Sequence, residues 1–219
     1  MKLYENVVKK FKDDVIQNKI ADKISNQYQE YYKRRANQSE VRSWINSLNF
    51  VKNVLEYAPL EENKIIVEYE LPYSEKRIDV VLFGKDKEGN DNIVIIELKQ
   101  WSNESIEDSE NEGNIKVDFG RHKKECPHPS LQVEGYYWHL KDFLIVFDEK
   151  PRILLSACVY CHNYNKGENE VLYLPKFKET LNKYPVFSKQ AIIDLGEYLK
   201  IKLSSDPGLE VFGRFNYSI

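Results

Sequence analysis

The sequence predicts an α/β fold, a helix–strand–strand–strand–helix–strand sandwich around a mixed central sheet, with extra helices at both ends. Three observations carry this expectation. Ile- and Val-rich runs at residues 65–71, 77–83 and 93–101 are joined by short polar turns at 72–76 and 85–92, the pattern of an antiparallel meander. Helical periodicity flanks these runs on both sides. A fourth apolar run, residues 153–160, follows the second flanking helix.

The 219 residues suffice for one domain with a buried core, and 42% hydrophobic with 31% charged residues fits a globular chain rather than a disordered one. The net charge of −3 speaks against a broad nucleic-acid coat, which is usually basic, and leaves room for local contacts. No apolar run reaches the roughly 20 residues a spanning helix needs. The N-terminus carries Asp and Glu where a signal peptide is apolar, and three Cys suggest no disulfide framework, so a cytoplasmic location is expected.

In chain order, residues 4–35 place Val7, Val8, Phe11, Val15, Ile20, Ile24 and Tyr28 at helical spacing, which reads as one or two amphipathic helices. Ser39 reads as the N-cap of a helix over residues 40–57, stopped by Pro59. The three strands follow. Residues 102–114 hold five carboxylates and almost no apolar residues, and read as a solvated loop. Ser130 reads as the cap of a helix over 131–143, then comes the fourth strand. Residues 176–203 read as two more helices, ended by Pro207 and Gly208. The expected organisation is a helical extension (1–35), a core (36–165) and C-terminal helices (166–219) packing on that core as one compact domain.

Chemistry concentrates in two strands. In IVIIELKQW, Glu97 and Lys99 share a face with Ile95, since side chains alternate with a period of two. In RIDVVLF, Asp79 sits among Ile78, Val80, Val81 and Leu82. Charges on strands this apolar are costly unless they are paired or bind something. Converging, Asp79 and Glu97 offer the oxygen-rich site that Mg²⁺ or Mn²⁺ prefers, one that polarises a phosphate and activates water. Lys99 then orients the attacking water or stabilises charge on the phosphoryl group. The plain alternative is an Asp at a strand end beside an exposed Glu–Lys pair.

These segments resemble the PD-(D/E)XK nuclease superfamily, with its restriction-endonuclease-like fold. RIDVVLFG corresponds to the aspartate strand, with Ile78 in place of the nominal proline, and IELKQW to the (D/E)-x-K strand. In HPSLQVEGYYWHL, Gln132 and Tyr136 are similar to the Q-x-x-x-Y motif of the RecB-like and lambda-exonuclease-like branch, and lie on one helical face. SEVRSWINSL, VEYELP and CVYCHN extend the likeness to the N-terminal region of bacterial proteins that end in a helicase-type ATPase. The resemblance implies Asp79, Glu97, Lys99, Gln132 and Tyr136 as catalytic residues, a divalent metal, and nucleic acid as substrate, DNA before RNA. It also implies an ATPase part that is missing or supplied by another chain, since no G-x-x-x-x-G-K-[ST] loop occurs here. DNA processing or anti-phage defence is the implied setting. A nuclease fold that binds nucleic acid or a partner ATPase without cutting is the second reading.

A third acid for the metal is sought at Glu40, which opens the second helix, or at Glu68 on the first strand. Their bland roles are a dipole-favoured first-turn Glu and a solvent-facing strand residue. His128, Arg121, Lys123 and Lys124 are candidate nucleic-acid contacts, against ordinary surface roles. Tyr137 and Trp138 are candidate stacking groups. His162 and Asn163 are candidates for the cleft rim. Cys126, Cys158 and Cys161 with a His could hold zinc, while Cys158 reads most simply as core.

Overall fold

The computed structural model describes residues 1–120, 122–167 and 170–218. It opens with a strand, β1 (Lys2–Val7), where helix was expected; helices α1 (Val8–Ile16) and α2 (Ile20–Tyr32) follow. The spacing of Val7 and Val8 fits the helical period, but β2 lies alongside residues 2–7 and captures them as an edge strand. Helix α3 (Gln38–Leu55) is capped by Asn37 rather than Ser39. The Asn37 side chain accepts the Glu40 N–H, and Glu40 reaches back to the Asn37 N–H, a reciprocal capping box.

The meander is present as β2 (Lys64–Glu70), β3 (Arg77–Lys85) and β4 (Asp91–Lys99), antiparallel throughout. The expected acidic loop is instead part of a second, three-stranded antiparallel sheet: β5 (Ile106–Asp108), β6 (Asn114–Asp118) and β7 (Lys123–Pro127). Its few apolar residues, Ile106, Ile115 and Val117, are all buried, which is enough to hold it on the core while the carboxylates stay in solvent. Helix α4 (Pro129–Phe143) is capped by His128, whose Nδ1 accepts the Ser130 N–H. The Ser130 hydroxyl instead donates to Tyr184 O at 2.8 Å. Strand β8 (Leu154–Cys161) runs parallel to β4. Helix α5 (Lys178–Lys183), a short strand β9 (Val186–Ser188) parallel to β8, and helices α6 (Ile192–Leu203) and α7 (Leu209–Asn216) complete the chain.

The main sheet has the order β1-β2-β3-β4-β8-β9. One face carries α1, α2, α3 and α6, through residues such as Phe11, Ile24, Leu48 and Leu199. The other carries α4, α7 and the second sheet, through Val133, Leu140, Phe215 and Val117. Each fully buried aliphatic or Phe side chain here is worth about 1.5–3 kcal/mol. The α3-β2-β3-β4-α4-β8 order and the mixed sheet are the restriction-endonuclease-like arrangement. Among the described residues, no helix is long and apolar enough to cross a membrane.

The C-terminal helices are locked to the sheet by a close approach at Gly84. A Cβ there would lie 2.3 Å from Leu203 O, and Gly208, at φ +69°, is packed against the same residue. Asn63 Nδ2 ties this junction together, donating to Phe83 O and Leu203 O. We expect Gly84→Ala to cost about 1–3 kcal/mol by forcing the α6–β3 junction apart, read as a lower urea midpoint; an unchanged midpoint would show the junction to be loose.

Candidate active site

The paired strands open at one end of the sheet, and the opening is built from the sequence outward. The β3–β4 ladder stops at Val80 opposite Ile96, so Asp79 has no β4 backbone partner. Its Oδ2 instead accepts the Leu98 N–H at 2.6 Å and fills the gap between the strands. Face alternation also slips here. Ile78 packs on the α4 side, whereas Asp79 lines a small cavity on the α3 side. Strand β2 slips at the matching point. Glu68 has φ +57°, a left-handed conformation that costs a non-glycine residue about 1–3 kcal/mol. The slip turns Glu68 inward, where it is buried rather than solvent-facing.

Two groups of side chains meet at this opening. On the α3 side, Glu68 and Asp79 line a cavity of about 30 Å³, room for one water, with Ser43, Trp44, Ser47, Leu48 and Leu98. Trp44 Nε1 donates to Glu68 Oε1 at 2.9 Å, and Arg77 Nε approaches Glu68 Oε2 at 2.8 Å. On the α4 side, a hydrogen-bonded ring joins β4 to α4. Lys99 Nζ donates to Glu97 Oε1 at 2.6 Å and to Gln132 Oε1 at 2.8 Å. Gln132 Nε2 donates to Glu97 Oε1 at 2.7 Å and to Tyr136 Oη at 2.8 Å. The ring exists because i and i+2 on a strand, and i and i+4 on a helix, each share a face. Lys99 also lies 5.0 Å over the Trp101 ring.

The electrostatics follow from crowding carboxylates out of water. Burial pushes the Asp79 carboxyl well above its ordinary range, and the nearby Glu97 and Glu68 charges push it further. Glu68 is pushed up to about 7 by burial, against the opposing pull of Arg77 and the Trp44 hydrogen bond. Burial disfavours the Lys99 charge, but Glu97 and Asp79 outweigh it, so Lys99 titrates above its usual value and stays cationic. Glu97 Oε2 is buried and has no hydrogen-bond partner among the described residues.

Asp79 and Glu97 therefore share one electrostatic neighbourhood, reached from opposite sides of the strand opening. Among the described residues, no three His, Cys, Asp or Glu side chains converge as a preformed metal site. The donors nevertheless suit a hard cation: two carboxylates lining one water-sized cavity, and a third with an unpartnered oxygen.

Other expected residues lie elsewhere. Glu40 does not line the Glu68–Asp79 cavity; its Oε1 accepts from Arg77 Nη2 at 2.7 Å, and Oε2 serves the capping box. His128 is fully buried, stacked on Phe177 at 4.0 Å, with Nε2 3.1 Å from Leu172 O. Burial pulls its pKa down to about 4, and the ring caps α4 from inside the core instead of standing on the surface. Lys123 and Lys124 are exposed on β7, with Lys123 paired to Glu107. Arg121 lies outside the described residues. Cys158 and Cys161 point to opposite faces of β8, and Cys126 is on the second sheet, so the three share no zinc site. Trp138 is exposed, whereas Tyr137 packs partly against the core.

The sequence reading missed a polar strut under the cavity. Gln100 Nε2 donates to Ser43 Oγ at 2.7 Å and Ser47 Oγ at 3.0 Å, and Ser47 Oγ lies 3.2 Å from His162 Nε2. His162 is buried and stacked on Phe50, not on a rim, while Asn163 donates to Gln100 O. Arg77, the only cation on Glu68 among the described residues, was also missed. Its position two residues before Asp79, and that of Gln100 directly after Lys99, were the available signals.

The raised acids fix a pH dependence. In the unfolded chain carboxylates titrate near about 4. Between there and neutrality, the folded chain retains protons at Glu68 and Asp79 that the unfolded chain has released, so stability falls as pH rises. Urea titrations without divalent ions should show this fall between about pH 5 and 7, and Glu68→Gln should flatten it. An identical slope in the variant would refute the raised Glu68.

No curated protein and no solved structure matches the chain. The nuclease-related domain (NERD) family matches residues 43–162, more than half of the chain. That segment runs from Ser43 at the cavity to His162 under it, and contains Glu68, Asp79, Glu97, Lys99, Gln132 and Tyr136 but not Glu40. The chain belongs to the nuclease-related domain family.

Proposed function

We propose that the protein is a Mg²⁺- or Mn²⁺-dependent nuclease that hydrolyses phosphodiester bonds, with DNA as its substrate. The observation that carries this reading is the gathering of buried Glu68 and Glu97 with half-buried Asp79 around the opening of β2, β3 and β4, with only Arg77 and Lys99 beside them in the described structure. Charge this unbalanced, in a family related to nucleases, fits a site completed by a cation.

Asp79 and Glu68 would hold the ion, and Glu97 Oε2 would complete the site from the α4 side of the strand opening; of the two candidates for the further acid, Glu68 rather than Glu40 lines the cavity. Bound there, a divalent ion would supply Lewis-acid polarisation of the phosphate and a more acidic water. The remaining roles belong to the chain. Lys99, kept cationic, faces charge developing on the phosphoryl oxygens. Gln132 holds Lys99 and Glu97 in one geometry, and Tyr136 anchors Gln132. The Leu98 N–H fixes the Asp79 carboxylate, and Arg77 sets Glu68. The Gln132–Tyr136 pair supports the RecB-like branch, and with it a role in DNA processing or defence beside a helicase-type ATPase.

Labelled DNA and RNA in several forms, with Mg²⁺ or Mn²⁺, test this reading. Asp79→Ala and Lys99→Ala are expected to lower the cleavage rate by roughly 10²–10³-fold, EDTA to stop it, and Glu40→Gln to leave it near wild type. Absence of metal-dependent cleavage on every substrate would sink the enzyme; nucleic-acid binding retained by that inactive protein would point to a binding module. Independently of turnover, Mg²⁺ or Mn²⁺ should raise the wild-type melting temperature, and Asp79→Asn should abolish the shift.

A further inference from the structure

A second cleft lies at the other end of β8. Strand β9 pairs only with Val159–Cys161, leaving the earlier part of β8 without a partner on that side among the described residues. The Val159 N–H points outward to Pro185 O, so by alternation the Leu155 and Ala157 backbones also face the open edge. A cavity of about 450 Å³ occupies this space. Tyr137 and Trp138 of α4 form one wall, Tyr198 and Lys202 of α6 the other, and Lys183 and Tyr184 close it. Trp138 is 54% exposed, and Lys202 lies 5.7 Å from the Tyr198 ring.

Among the described residues the lining combines four aromatic rings and two cations with no carboxylate, in a chain whose net charge is −3. That combination is complementary to a flat, anionic ligand. We propose that the groove is a docking subsite for unpaired nucleotides of single-stranded nucleic acid, with Trp138 and its neighbouring tyrosines stacking on bases and Lys183 and Lys202 pairing with phosphates. Duplex bases are stacked on one another and cannot reach such rings, so the occupant is single-stranded. Ala157 is opposite Ile95 and Cys161 opposite Lys99 in the β4–β8 register. The groove therefore lies about 13 Å along the strand from Lys99, a span of a few nucleotides. The subsite rests on the nuclease reading for its biological sense, but its chemistry is testable alone.

The test is binding of a fluorescent oligothymidylate of about twelve nucleotides, measured in EDTA so that nothing is cut. Trp138→Ala is expected to weaken binding roughly tenfold. Lys183→Ala with Lys202→Ala should reduce the steepness of log K against log salt by roughly 1.4, a change that a purely structural defect does not produce. Thermal melts establish that both variants are folded; the substituted side chains are exposed or half-buried. Wild-type affinity and salt slope in both variants, or no binding by wild type, overturn the subsite and leave the open edge to a peptide strand, whatever the cleavage assays give. Binding that depends on Trp138 in a protein that never cleaves supports the subsite while the nuclease reading falls.

Discussion

Two buried carboxylates, Glu68 and Glu97, and the half-buried Asp79 meet where the central sheet comes apart, and much of the structure follows from accommodating them. A strand pair closed to its end would leave Asp79 with a satisfied backbone neighbour and its side chain on the α4 side with Val81 and Phe83. Here the β3–β4 ladder ends one residue earlier, and the Asp79 carboxylate takes the hydrogen bond that a backbone carbonyl would have taken. Glu68 reaches the same place through a left-handed backbone conformation, sustained by Trp44 and Arg77. Strain of this kind persists only where surrounding contacts over-determine it. Those contacts are the rigid strands on either side, both buried on both faces.

The rest of the molecule supports that opening from its two sides. Helix α3 brings Trp44 and the serines of the polar strut; helix α4 brings Gln132 and Tyr136. The two helices lie on opposite faces of the sheet, so the site can draw on both only where β3 and β4 separate. The N-terminal elements contribute indirectly: Tyr28 of α2 lies 5.5 Å from the Arg77 guanidinium, the same group that bridges Glu40 and Glu68. Glu40 thus bears on the acid cluster through Arg77.

The position of the aromatic groove has the same origin. Because β9 is short and pairs only at the site end of β8, the sheet stays closed near Lys99 and open further along. The helices that cover the two faces then overhang an unpaired edge. Their aromatic and basic residues meet there, and among the described residues no carboxylate lines the groove.

The sequence by itself determined the α/β class, the three-stranded meander, the shared strand face of Glu97 and Lys99 and the shared helical face of Gln132 and Tyr136. Each of these depends on local periodicity: two along a strand, 3.6 along a helix, and turns too short to do anything but reverse the chain. Tertiary structure decided the rest. It made residues 2–7 a strand because β2 was there to pair with them, and made residues 106–108 and 114–118 a sheet because three apolar side chains found the core. It chose Glu68 over Glu40 for the cavity, since a break in strand alternation is a property of how strands pair and leaves no mark on the pattern of residue types. It also buried His128 and separated the cysteines, because burial and facing are set by elements far away in the chain.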